Sequence, residues 1–258
     1  MDTQGVVAKQ DSFAEDNRGI TGSTLKIIAI VIMLIDHVGA VILERFPIVG
    51  TPLYTVDRIL RSVGRLAFPI FCFLLVEGFI YTRDRAKYAV RLFVFALISE
   101  IPFDIAVTGR IFNLTYQNVF FTLLAGFLTI CVLDEVKQRE FNFSSPKAEM
   151  VLRLVLTVLI TAAGMVAAYL LKTDYSFAGV LAIVVMYGIK ERKPEAMFGG
   201  CAVLTAYKFS EAFAFLDIFL IKMYNGKRGL KLKYIFYVFY PVHLLVLYCI
   251  ARLLGATM

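Results

Sequence analysis

The chain is 258 residues long, 59% hydrophobic and 18% charged, with 27 Lys and Arg against 20 Asp and Glu and a net charge of +7. A mean hydropathy of +0.75 excludes an ordinary soluble domain, which does not carry such an excess of Leu, Ile, Val and Phe. The positive charge clusters at the ends of apolar runs, where it sets membrane topology, so the expected partner is the lipid bilayer and not nucleic acid.

The predicted fold class is all-α, a polytopic helical membrane bundle of about nine segments (eight to ten), some short or broken. A polar tail at 1–24 precedes a single domain over 25–258. The tail carries Asp2, Lys9, Asp11, Glu15, Asp16 and Arg18 and lacks the parts of a signal peptide. The first span, from Leu25, therefore serves as its own targeting signal. Crossing a hydrocarbon core of about 30 Å takes roughly 20 apolar residues of helix. Segments near 25–43, 66–81, 88–107, 118–133, 151–171, 177–189 and 234–254 qualify, some of them short.

Residues 196–221 form either one span or two short ones broken around Lys208-Phe-Ser-Glu211. The broken reading gathers Arg83, Arg85, Lys87, Lys137, Arg139, Lys190, Lys193, Lys227 and Arg228 on the side of the N-terminus, which positive-inside bias makes cytoplasmic in a cell (plasma) membrane. Residues 44–65 then form an outside loop. Its Arg45, Arg58, Arg61 and Arg65 either snorkel at the interface or turn inward as ligands.

His37 and His243 are the only histidines, each inside an apolar run at opposite ends of the chain. An ionisable group at membrane depth is costly without a partner and points to function, and histidine exchanges protons near neutral pH. His37 follows Lys26 by eleven residues and His243 follows Lys233 by ten. Both therefore lie about 15–17 Å from a charged end, and the two rings can converge. Asp36 adjoins His37, but helix neighbours do not face each other. The partner is expected from another span: Glu77, or the pair Glu100 and Asp104 on one face around Pro102.

The four cysteines, Cys72, Cys131, Cys201 and Cys249, are scattered singly and read as buried small hydrophobes. Neither histidine stands in a metal-ligand spacing, so no metal is expected. The loop from Tyr224 to Tyr234, with Asn225, Gly226, Lys227, Arg228 and Gly229, joins glycines to cations ahead of a helix. It suits a phosphate-bearing ligand such as a coenzyme, or it is a plain topological anchor.

Several blocks then carry a family likeness. Leu25–Gly39, Gly64-Arg-Leu-Ala-Phe-Pro through Val76-Glu-Gly78, Asp174-Tyr-Ser-Phe-Ala-Gly179, Tyr224-Asn-Gly-Lys-Arg-Gly229 and Phe239-Tyr-Pro-Val-His243 resemble, in order, the signature of the TraX family. That resemblance implies a transmembrane acyltransferase similar to a pilin acetylase of conjugation systems. It would transfer acetyl from acetyl-CoA to an amine or hydroxyl of a peptide, glycan or lipid-linked acceptor. It places Asp36, His37, Glu77 and His243 among the catalytic candidates, with Glu100 as a further carboxylate able to orient an imidazole. It implies coenzyme binding by Arg65, Arg83, Arg85, Asn225, Lys227 and Arg228. A proton-coupled transporter using the same buried His, Asp and Glu, and a membrane assembly factor whose polar residues only join helices, are the rival readings.

Overall fold

The structure is a computed structural model that describes residues 19–141, 145–231 and 233–256. The expected N-terminal tail up to residue 18 lies outside the described residues. Among the described residues the fold is helical, with no strand beyond two isolated bridges, Ile20 to Tyr224 and Gln117 to Thr173.

Helix α1 (Gly22–His37) starts where the Thr21 hydroxyl accepts from the Thr24 amide, a side-chain cap that satisfies an orphan donor. Just past His37 it widens into a π turn over Val38–Ile42 and tightens into a 3-10 turn at Leu43–Arg45. Such a bulge re-aims side chains and recurs at functional sites. Then follow α2 (Pro52–Gly64), α3 (Ala67–Tyr81), α4 (Arg85–Thr108), α5 (Val119–Gln138), α6 (Pro146–Leu170), α7 (Ser176–Gly188) and α8 (Lys193–Tyr207). A 3-10 stretch at Phe209–Leu216 runs into α9 (Asp217–Lys222), and α10 covers Lys233–Leu253.

Five stretches are long and apolar enough to cross a membrane: Gly22–Arg45, Pro52–Tyr81, Val119–Gln138, Pro146–Leu170 and Tyr234–Leu253. The chain is a helical membrane protein. Its core is one cluster rich in Phe, Leu and Ile from most of these helices. Helix α6 fully buries only Ala168, so much of its apolar surface is left for lipid.

Contacts between loops define two ends. At the basic end Gly22 donates to the Lys227 carbonyl, Lys193 and Tyr224 meet Glu77, and Arg85 meets Asp134. At the far end Arg65 meets Glu211, Tyr116 meets Asp174, and Arg45 reaches the Ala106 carbonyl. Nine legs connect the ends among the described residues, the 209–222 stretch being one of them. The expected break at residues 196–221 is present: α8 rises from the basic end, turns at Lys208, and the 3-10 stretch with α9 returns.

The segment 44–65 is not a loop. Residues 52–64 form α2, joined to α3 through a tight turn at Arg65 and Leu66 whose amides reach back three residues. Leu53, Val56, Ile59 and Val63 point outward while Asp57 is buried, a helical stripe that the interspersed arginines obscured. Gly64 packs directly on Asp36: a Cβ there would lie 2.3 Å from the Asp36 Cβ. Two of the cysteines also differ from expectation, Cys131 being half-buried and Cys249 exposed, because their helices turn those faces away from the core.

Candidate active site

Helices α1 and α10 bring the two imidazoles together. His37 Nδ1 lies 2.6 Å from His243 Nε2, with ring centroids 4.9 Å apart and planes 19° from parallel. His243 is buried, lies on the Phe239 ring at 4.7 Å, and its Nδ1 is 2.8 Å from the Phe239 carbonyl oxygen. Pro241 stands between them inside α10, where it removes a backbone donor and bends the helix.

These contacts fix the hydrogens. A carbonyl only accepts, so His243 Nδ1 is the donor to Phe239. In a neutral ring Nε2 then bears a lone pair, which accepts from His37 Nδ1–H. The chain of donors ends at His37 Nε2, which keeps its lone pair and has no hydrogen-bond partner among the described residues. A lone pair on an imidazole oriented from behind is the arrangement of a general base.

A cavity of about 580 Å³ opens toward the basic end. Its mouth is lined by Lys26, Arg83, Arg91 and Arg228, its shaft by Phe71, Leu74, Leu75, Leu92 and Leu123, and its inner end by Met33, Phe120 and Tyr240. Met33 is one turn before His37 on α1, and Tyr240 is three residues before His243 on α10. The inner end therefore adjoins the imidazole pair, and the Tyr240 ring lies 6.2 Å from His37 and 5.7 Å from His243.

On the far side of the pair is a dense ionic cluster. Arg61 Nη1 donates to Asp36 Oδ2 at 2.5 Å, and its Nε lies 3.2 Å from the Glu44 carboxylate. Arg65 donates to Glu211 at 3.0 Å and lies 3.7 Å from Asp36. Asp36 Oδ1 and Glu211 Oε2 are buried with no hydrogen-bond donor. The loop after α6 covers this cluster. Asp174 accepts from the Tyr116 hydroxyl at 2.7 Å, and Tyr175 stacks on Phe68 at 3.7 Å. Lys172, Tyr175 and Ser176 all have positive φ, a left-handed conformation that costs side-chain-bearing residues energy and gathers at functional sites. Burial pushes the Asp174 carboxyl above its ordinary range, against the Tyr116 and Tyr175 hydrogen bonds.

Asp36 does not touch His37; it takes Arg61 and Arg65, as the helix spacing implied. None of the three carboxylates expected to orient His37 contacts it. Glu77 accepts from Lys193 at 3.1 Å and Tyr224 at 2.9 Å, at the basic end. Glu100 binds Asn118, the cap of α5. Asp104 accepts from the Asn113 amide at 2.6 Å. Each acid fastens a neighbouring loop or helix start, and the acceptor behind the imidazole pair is the Phe239 backbone carbonyl, which a survey of side chains does not register.

The expected coenzyme ligands divide. Arg83 and Arg228 line the cavity. Arg85 instead pairs with Asp134 at 2.7 Å and covers the Phe79 ring. Asn225 shapes its own loop by accepting from the Lys227 amide. Arg65 is at the opposite end. Lys26 and Arg91 belong to the mouth although sequence reasoning passed over both. Arg91 was legible as a cation inside the apolar run 88–107. Among the described residues no three His, Cys, Asp or Glu side chains converge to hold a metal.

Fold and site together define a polytopic membrane protein that sets a paired imidazole between a basic-mouthed cavity and an ionic cluster. A family model described as TraX protein matches residues 21–251, and the chain belongs to the TraX family. A probable fimbrial assembly protein, FimC of serogroup H1 from Dichelobacter nodosus, is 30% identical over 255 residues, covering 89% of this chain and 94% of that protein. No solved structure matches.

Proposed function

We propose that this protein is a membrane acetyltransferase that uses acetyl-CoA from the cytoplasmic side of the plasma membrane to acylate an amine presented from the opposite side. The observation that carries the reading is the donor chain from His37 to His243 to the Phe239 carbonyl, ending in the unpartnered His37 Nε2, with the cavity reaching Met33 and Tyr240 close to the pair. The basic end, with its clustered cations, faces the cytoplasm.

The cavity residues fit the donor. Its volume lies within the roughly 300–1,000 Å³ common for small-molecule sites. Four cations at the mouth suit the coenzyme's phosphates, and the apolar shaft suits its pantetheine arm. His37 Nε2 takes the proton as the amine attacks the thioester carbon; the C–S bond breaks, and the imidazolium returns a proton to the leaving thiolate. A general base of this kind contributes about 10²–10⁴-fold. The Asp36 and Glu211 oxygens that lack a hydrogen-bond donor favour an acceptor rich in N–H donors and positive charge over a neutral sugar hydroxyl. The fimbrial relative and the family together favour a pilin N-terminus.

The test uses purified full-length protein in lipid nanodiscs with acetyl-CoA and a synthetic pilin N-terminal peptide, read by mass spectrometry. Acetylated peptide from the wild type and none above background from His37→Ala is the expected result. Undiminished acetylation by His37→Ala sinks the reading.

A further inference from the structure

We propose that Tyr240 is the oxyanion donor of this site: its hydroxyl binds the thioester oxygen as negative charge develops there. The inference rests on the acyl-transfer reading and adds a catalytic group to it. Acyl transfer builds charge on a carbonyl oxygen, and an enzyme gains most from a hydrogen-bond donor already in place at that position. Neither imidazole can serve. In the neutral pair both N–H groups are used, one toward the Phe239 carbonyl and one toward the partner ring, and His37 Nε2 is the base.

Tyr240 has the required placement. It is buried, lines the closed end of the cavity, and lies edge-on to both histidine rings. The other residues closing that end, Met33, Val119 and Phe120, offer no side-chain donor. Val119, the first residue of α5, lines the same cavity beside Tyr240.

The step balances without a further reagent. The amine nitrogen bonds to the thioester carbon, and the π electrons move onto the oxygen held by Tyr240 O–H. They return as the C–S bond breaks. Tyr240 gives a hydrogen bond throughout and keeps its proton, while the transferred proton passes through His37 Nε2.

The experiment compares wild type with Tyr240→Phe, which removes one oxygen and keeps the ring contacts. Acetyl-CoA binding is followed by thermal stabilisation in nanodiscs, and kcat and KM by peptide acetylation. The expected result is a loss in kcat of about 10²–10³-fold, the usual cost of one oxyanion donor, with stabilisation by acetyl-CoA retained. Incorporating 3-fluorotyrosine at 240, a more acidic donor, then changes kcat while the fold is kept. A Tyr240→Phe variant within about threefold of wild type, or a loss explained wholly by KM, overturns the proposal. A wild type that neither binds acetyl-CoA nor acetylates overturns the acyl-transfer reading as well, and so is distinguishable from failure of Tyr240 alone.

Discussion

The two sides of the imidazole pair are built on opposite principles. Toward the basic end lies an open, apolar cavity whose cations stand at the mouth. Arg83 and Arg228 there are exposed, ready for a ligand. Toward the far end Arg61 and Arg65 are committed to Asp36, Glu44 and Glu211 under a loop with three strained residues. One side is shaped to admit a large molecule. The other is held together by paired charges. Binding energy from the first and positioning from the second would meet at His37, a division that suits a two-substrate reaction.

That contrast can be broken experimentally. The largest effect is expected at its centre: His37→Ala lowers kcat for peptide acetylation by about 10²–10⁴-fold, and His243→Ala by less, because the base is then misoriented and not removed. Next comes the ionic side. Arg65→Ala leaves the buried Glu211 carboxylate without its cation, a loss of about 3–5 kcal/mol, read as a lower unfolding temperature in detergent. On the cavity side Arg228→Ala removes one exposed cation that the proposed reading sets against a coenzyme phosphate. It should raise the KM for acetyl-CoA about tenfold or less, with kcat and peptide KM unchanged; a change in peptide KM instead would dissolve the distinction between the two sides. The smallest effect is on pH. Because burial raises the folded carboxyl of Asp174, ionising it costs stability. Stability should therefore decline as pH rises from the ordinary aspartate range through the raised value, and Asp174→Asn should flatten that decline in thermal melts.

Much of this organisation was legible. Long apolar runs located the spans, and two imidazoles at similar depth were enough to expect their convergence. The break near Lys208 followed from charge bias alone, because an unbroken span would send the basic 222–233 loop to the wrong side. Other features were hidden for identifiable reasons. Helix α2 carries arginines at 58, 61 and 65, and one polar face lowered its average hydropathy enough to read as loop. Glu77, Glu100 and Asp104 were expected to serve an imidazole since acids inside apolar runs suggest chemistry. They instead fasten neighbouring segments: Glu77 takes Lys193 and Tyr224, Glu100 takes the cap residue Asn118, and Asp104 takes the loop amide of Asn113. The family resemblance also ranked Arg65 with the coenzyme ligands, yet only the path of α2 reveals that it faces Glu211.

The basic loop shows how firmly the frame is tied. Residues 20–23 exchange hydrogen bonds with Met223, Asn225, Lys227 and Arg228, and Gly229, at φ +69°, sits where a Cβ would fall 2.1 Å from Ser23 Oγ. Any side chain at 229 would lift this strap off the start of α1.

The contact between His37 and His243 bridges 206 positions of the chain, and it has a consequence for biogenesis. At about 5–20 residues per second, roughly 10–40 s separate synthesis of the two imidazoles. Throughout that interval α1 is already in the bilayer with its histidine unmatched. The pair is completed only once α10 inserts, so on the proposed acyl-transfer reading an unfinished chain in the membrane would be inactive.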